Sequence, residues 1–130
     1  MKKIIKCILE DKPIPIYGKG MQIRDWTNVI DNAQAVVKIL ENWKSGEIYN
    51  ISANQEFSNI EVVQEICNFM NKGHNLITFV EDRKGHDFRY SINSSKIKKL
   101  GWSPSYRFKG PEGGLSHTVN WYKANQWFLK

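Results

Sequence analysis

Apolar residues recur at helical spacing in several stretches of this chain, with short extended runs between them. Met1 to Leu9 reads as an amphipathic helix ending near Asp11, because Pro13 and Pro15 forbid a regular helix interior. Pro13 to Tyr17 is then extended, Gly18-Lys19-Gly20 is a turn, and Gln22 to Trp26 is a short strand. Asp31 to Trp43 is the clearest helix, with Ala33, Val36, Val37 and Leu40 on one face, stopped by Ser45-Gly46. Glu47 to Ile51 alternates as a strand does. Ser58-Asn59-Ile60-Glu61 is a capping box opening a helix that carries Val62, Val63, Ile66 and Met70 on one side and ends at Lys72-Gly73. A strand at 76–80 follows, then a charged loop. A short basic helix capped by Ser94 or Ser95 closes at Leu100-Gly101. The last helix spans about Gly114 to Trp127, with Leu115, Val119 and Tyr122 inward. Strands alternating with helices, without hairpin signals, predict a small mixed α/β domain of short strands and four to five helices. The sheet is too short for a free-standing doubly wound fold.

The length of 130 residues predicts one domain, residues 1–130. Hydrophobic content of 41% and charged content of 25% are those of a soluble globular protein. No apolar stretch approaches the roughly 18 residues that span a bilayer, and Lys6 with Glu10-Asp11-Lys12 is unlike a signal peptide. Cys7 and Cys67 lack metal-site or CxxC spacing and read as reduced core thiols of a cytoplasmic protein.

Charge changes the picture locally. Of the nineteen basic and thirteen acidic residues, eight and two lie between Asp82 and Lys109, so that window holds the whole net charge of +6. Its first part, Asp82-Arg83-Lys84-Gly85-His86-Asp87-Phe88-Arg89-Tyr90, gathers cations, a histidine and two carboxylates around one glycine. Such a loop is costly to bury. It suits a doubly charged ligand such as a pyrophosphate, since arginine offers a planar fork of donors and glycine lets the backbone turn closely. The same basic window, with Phe88, Tyr90, Trp102 and Tyr106, is also compatible with nucleic acid, although it lacks a repeated stacking platform.

A reaction centre is missing from the residues themselves. No GxGxxG follows a strand, no GxxxxGK[ST] is present, and no tyrosine has a lysine four positions later. His74, His86 and His117 are too scattered for a metal site. Arg24 could pair with Asp25 or another acid, or face an anion. Asn59 is the first residue of its helix and could also face one. Tyr17 could stack on a base or pack in the core, and His86 could be a pyrophosphate donor or an ordinary loop histidine.

Pro15-Ile16-Tyr17-Gly18-Lys19-Gly20-Met21-Gln22-Ile23-Arg24-Asp25-Trp26, then Val29-Ile30-Asp31 and Ala33, resembles the nucleotide-sugar dehydratases of the extended short-chain dehydrogenase/reductase class. Gly46 to Ile51, Asn59 to Val63, Lys96-Ile97, Leu100 to Pro104 and Thr118 to Tyr122 continue the match in order. Arg24-Asp25-Trp26 with the Asp82–Tyr90 loop, similar to a DRPGHDRRY motif, resembles the dTDP-glucose 4,6-dehydratases in particular.

The resemblance implies the carboxy-terminal, substrate-binding part of an extended Rossmann-type enzyme. The NAD-binding Rossmann domain, the Tyr-x-x-x-Lys pair and the acidic pair of the elimination step would then lie upstream of Met1. It further implies that Pro15, Ile16 and Tyr17 line the nucleotide and that Arg24 lies on the diphosphate side. Asn59 would contact the nucleotide, and Asp82, Arg83, Lys84, Gly85 and His86 would close over diphosphate and nucleoside. Lys84 stands where the family usually has proline. NAD would serve the complete enzyme without being held by this chain, which alone would bind a dTDP-sugar and catalyse nothing. Its protein partner would be a separate Rossmann-domain chain or a second copy in a homodimer, and a non-catalytic remnant or scaffold subunit is the other reading.

Overall fold

A computed structural model describes all 130 residues. Five α-helices, four short strands and two 3-10 turns follow one another along the chain. Helix α1 (Lys2–Leu9) buries Ile5 and Ile8 and leaves Lys2 and Lys3 exposed. Strand β1 (Ile14–Tyr17) buries alternate residues Ile14 and Ile16, as a period of two requires. Strand β2 (Ile23–Asp25) precedes helix α2 (Val29–Glu41). Strand β3 (Glu56–Ser58) runs directly into helix α3 (Asn59–Phe69). After a 3-10 turn at His74–Leu76 come strand β4 (Ile77–Val80), helix α4 (Ser95–Lys98) and helix α5 (Gly114–Ala124). A 3-10 turn at Gln126–Leu129 ends the chain, so the last helix stops three residues short of Trp127.

The strands form two pairs. β1 and β4 are parallel, with Ile14 opposite Ile77 and Tyr17 opposite Val80. The long connection between them, which parallel pairing demands, contains α2, β3 and α3. β2 and β3 are antiparallel, with Arg24 opposite Phe57. On its other edge β2 takes the end of the charged loop: Ile23 N–H donates to Phe88 O at 2.7 Å and Tyr90 N–H to Ile23 O at 3.3 Å.

The main core joins α1, β1, α3 and α5 through Ile5, Ile8, Ile14, Val62, Ile66 and Val119, with Phe108 closing it. The capping box at α3 is complete: Ser58 N–H donates to Glu61 Oε2 at 2.8 Å, and Glu61 N–H to Ser58 Oγ at 3.4 Å. The Ser58 hydroxyl, which donates to Glu61 Oε2 at 2.7 Å, and then the Ser58 N–H hold the Glu61 carboxyl below its usual range. A smaller core of Ala35, Ile97 and Trp102 sits under α2, with Ile39, Tyr49 and Ile51 against it.

Three expectations fail for identifiable reasons. The apolar face predicted for α2 is exposed at Ala33, Val36, Val37 and Leu40, while the opposite face is buried at Asp31 and Ala35. The Asp31 carboxylate accepts Ser105 N–H at 2.7 Å and Tyr106 N–H at 3.2 Å, which compensates its burial. Residues 47–51 form no strand, because no other strand of this chain lies beside them. Tyr49 and Ile51 pack inward while Ile48 is 80% exposed, the alternation of a strand without a neighbour. The third concerns the start of α4. Neither Ser94 nor Ser95 caps it by its side chain; Ser95 N–H donates instead to Asn93 Oδ1 at 2.8 Å.

Cys67 is a buried free thiol, raised in pKa by that burial, whereas Cys7 is only half-buried. No helix is long and apolar enough to cross a membrane.

Candidate functional site

The carboxyl ends of β1 and β4 lie side by side, and both feed glycine-bearing turns. Gly18 N–H donates to Val80 O at 2.9 Å, and Gly20 N–H closes the turn onto Tyr17 O at 3.0 Å. In parallel pairs of α/β folds this end is where ligands bind. The loop from Asp82 starts here. His86 N–H donates to Arg83 O at 3.3 Å across a tight turn whose third residue, Gly85, has φ +68°. That is the conformation glycine supplies in a type II turn, where proline is favoured one position earlier, at Lys84 in this chain.

Asp82 organises the loop. Its Oδ1 accepts His86 Nδ1 at 2.6 Å and Arg83 N–H at 2.9 Å, and its Oδ2 accepts Gln22 Nε2 at 2.7 Å. The hydrogen bond from His86 is the main cause holding the Asp82 carboxyl below its usual range. The His86 side chain is 7% exposed and meets Tyr17 edge-on, ring centroids 6.1 Å apart. Tyr17 is itself half exposed. Side chains of Arg83, Lys84 and Asn59 have no hydrogen-bond or ion-pair partner, and Arg83 and Lys84 are exposed.

Arg24-Asp25-Trp26 divides its work among three directions. Asp25 Oδ1 accepts Gln55 N–H at 2.8 Å, so Asp25 does not pair with Arg24. Trp26 donates to Phe57 O at 3.2 Å and packs on Phe108. Arg24 reaches the far end of the loop, donating to Asp87 O at 2.9 Å, with its guanidinium 4.1 Å from the Tyr90 ring centroid. The Tyr90 hydroxyl donates to Asp87 Oδ2 at 2.6 Å, which raises the phenol above its usual range. Arg24 is therefore a strut of the loop as well as a cation.

Asn59 is the first residue of α3, but the helix start is not an open anion site. Asn59 N–H donates to Gln22 O at 3.0 Å and Ile60 N–H to Gly20 O at 2.9 Å. Only the Asn59 side chain is free. Ile16 is a core residue, so its side chain does not reach the surface occupied by Tyr17, and Pro15 beside it is half-buried. Sequence reasoning missed Gln22, which is buried between Asp82 and α3. The signal available was a lone amide beside a charged motif, too weak to single out. A partly open cavity of about 30 Å³ lies elsewhere, between Trp26, Asn28, Tyr106 and Thr118, and has room for no more than water.

The sequence and the fold of the chain are similar to those of known proteins. The sequence model of the GDP-mannose 4,6 dehydratase family matches residues 1–111. A dTDP-glucose 4,6-dehydratase of Salmonella typhimurium is 45% identical over 133 residues, covering 95% of this chain and 36% of that protein. The chain belongs to the dTDP-glucose 4,6-dehydratase family. The crystal structure of the dTDP-glucose 4,6-dehydratase from Bacillus anthracis, in complex with NAD, superposes with a TM-score of 0.88 at 40% identity. It is covered over 40% of its length by 98% of this chain. DesIV, the Streptomyces venezuelae dTDP-glucose 4,6-dehydratase, gives 0.89 at 32% identity, with 98% of this chain on 40% of DesIV. The family enzymes are NAD-dependent nucleotide-sugar dehydratases, and this mixed α/β chain spans about two-fifths of their length.

Proposed function

We propose that this chain is the carboxy-terminal, substrate-binding part of a dTDP-glucose 4,6-dehydratase and holds the nucleoside diphosphate of a dTDP-sugar. The observation that carries this reading is the cluster at the ends of β1 and β4. A fixed Asp82–His86 pair and an exposed Tyr17 stand beside the unpartnered Arg83 and Lys84 of the same loop. Arg83 and Lys84 supply charge to the diphosphate, Tyr17 a face for the base, and His86 the ring nitrogen that its bond to Asp82 leaves free. Asn59 offers a free amide to the nucleoside, and Arg24 sets the far wall of the loop.

In the complete enzyme NAD takes and returns a hydride while water is eliminated from the hexose. The residues present do not form a dinucleotide site. The glycine turn 18–20 leads into a strand, and the first amides of α3 are already bonded to Gly20 and Gln22. The chain therefore contributes binding and orientation rather than chemistry, and alone yields no 4-keto-6-deoxy sugar nucleotide. The exposed apolar face of α2 and the unpaired run 47–51 are the surface on which the rest of the enzyme packs. Three of the other cations of the 82–109 window are held in ion pairs, Arg89 with Glu56, Lys96 with Glu47 and Lys109 with Glu61, which withdraws them from a nucleic-acid surface, while Lys98, Lys99 and Arg107 make none.

Calorimetric titration with dTDP tests this. Saturable binding is expected, weakened about tenfold or more in Arg83→Ala, as the loss of a charge-assisted hydrogen bond of ~1.5–3 kcal/mol implies. Lys98→Ala should bind as the wild type does. Equal affinity for all three proteins would remove the diphosphate assignment.

A further inference from the structure

We infer that Gln22 is a positioning residue for this site: its buried amide fixes the Asp82 carboxylate and, through it, the ring of His86. The inference rests on the nucleoside-diphosphate reading and adds a residue that touches no ligand.

Gln22 is only 6% exposed, and burying a primary amide costs stability unless both of its ends are bonded. Here only one end is. Nε2 donates to Asp82 Oδ2 at 2.7 Å, while Oε1 is buried with no partner. A methionine or leucine would fill such a position without leaving an acceptor unsatisfied. A polar group kept in an interior at a net cost is explained by the one bond it makes, and that bond goes to Asp82.

The consequence runs along a chain of contacts. Asp82 is attached to the loop by Arg83 N–H on Oδ1, and a carboxylate held through one oxygen still turns about its own axis. The Gln22 bond on Oδ2 removes that freedom. Gly18 adds a wall on the same side, since a Cβ there would stand 2.9 Å from Asp82 Oδ2. With the carboxylate fixed, Oδ1 receives His86 Nδ1 at 2.6 Å, which leaves Nε2 as the ring nitrogen available to a ligand. The Gln22 carbonyl meanwhile accepts Asn59 N–H at 3.0 Å. One buried residue thus ties the loop to the start of α3, and the two sides of the site keep a fixed separation.

The test combines dTDP titration with long-range ¹H–¹⁵N spectra of the His86 ring, on the full chain as wild type and as Gln22→Met, His86→Ala and the double variant. Gln22→Met keeps the size and removes the donor. The expected result is a roughly tenfold loss of dTDP affinity, with a urea midpoint equal to or above the wild type. The His86 ring signals should move toward a mixture of tautomers, and the double variant should bind no more weakly than His86→Ala. Unchanged ring signals in Gln22→Met, or additive losses in the double variant, would overturn the inference. If the wild type does not bind dTDP, the diphosphate reading fails, and the ring spectra alone decide whether Gln22 sets the imidazole. If Gln22→Met does not fold, Gln22→Leu removes the same donor: an unaltered His86 ring in Gln22→Leu overturns the inference, and ring signals moved toward a mixture of tautomers support it.

Discussion

Gly20→Ala isolates the close packing that sets the floor of the site. Gly20 has φ +70°, and a Cβ built there lies 2.8 Å from Ile16 Cγ2, 2.9 Å from Ile60 Cβ and 3.2 Å from Ile60 N. The left-handed conformation costs an L-residue about 1–2 kcal/mol. Forcing a methyl into a packed contact costs about 1–3 kcal/mol more. The sum is about 2–5 kcal/mol, because neither Ile16 in β1 nor the backbone of Ile60 can withdraw easily. Gly46 is the internal control: its φ is +79°, but a Cβ there meets nothing within 4 Å. Gly46→Ala should therefore cost only the conformational part, about 1–2 kcal/mol. Urea unfolding followed by tryptophan fluorescence reads both, with a midpoint drop on the order of 1–2 M for Gly20→Ala at ordinary slopes. Gly20→Ala should also weaken dTDP binding, since Gly20 O accepts the Ile60 N–H that anchors the start of α3. Equal midpoints for the two variants would refute the steric argument.

Three other outcomes follow from single residues. Lys84→Pro should stabilise the protein by about 0.4–1 kcal/mol, because proline suits the second position of a turn with Gly85 third; a lower urea midpoint would contradict that geometry. Glu61→Gln should cost about 0.5–1 kcal/mol by weakening the capping box, with loss of α3 amide protection in hydrogen exchange. Glu61 and Asp82 both have folded-state pKa values below their ordinary ones. Their stabilisation is thus complete above the ordinary carboxylate range and lost as the pH falls through the lowered values. Acid titration of the unfolding midpoint should show that loss, reduced in Glu61→Gln and in Asp82→Asn.

The α3 capping box was legible because its four residues form a local motif whose bonds depend on nothing distant. The charged loop was legible for a similar reason: charges around a glycine after a strand have few places to go. The α2 face was not. Periodicity identifies which residues share a face, but Val36, Val37 and Leu40 are exposed while Asp31 is buried by amides more than seventy residues away. The run 47–51 shows the same limit, since a strand exists only beside another and alternation says nothing of the neighbour. β3 went unseen because Glu56-Phe57-Ser58 is too short to carry a pattern and is set by pairing with β2. Arg24 read as a choice between an acid and an anion, while its observed partners are loop carbonyls and a tyrosine ring, which no pattern in the sequence encodes.

The central claim is that the ends of β1 and β4, the 82–86 loop and the start of α3 form one nucleoside-diphosphate site. Titrating dTDP into ¹⁵N-labelled protein and following backbone and side-chain amides tests it directly. Saturable shifts are expected at Tyr17, Arg24, Asn59 and Arg83 to His86, with α5 and the Gln126–Leu129 turn unmoved. No saturable shift, or shifts gathered on Lys96 to Lys109 and reproduced by short DNA, would contradict it.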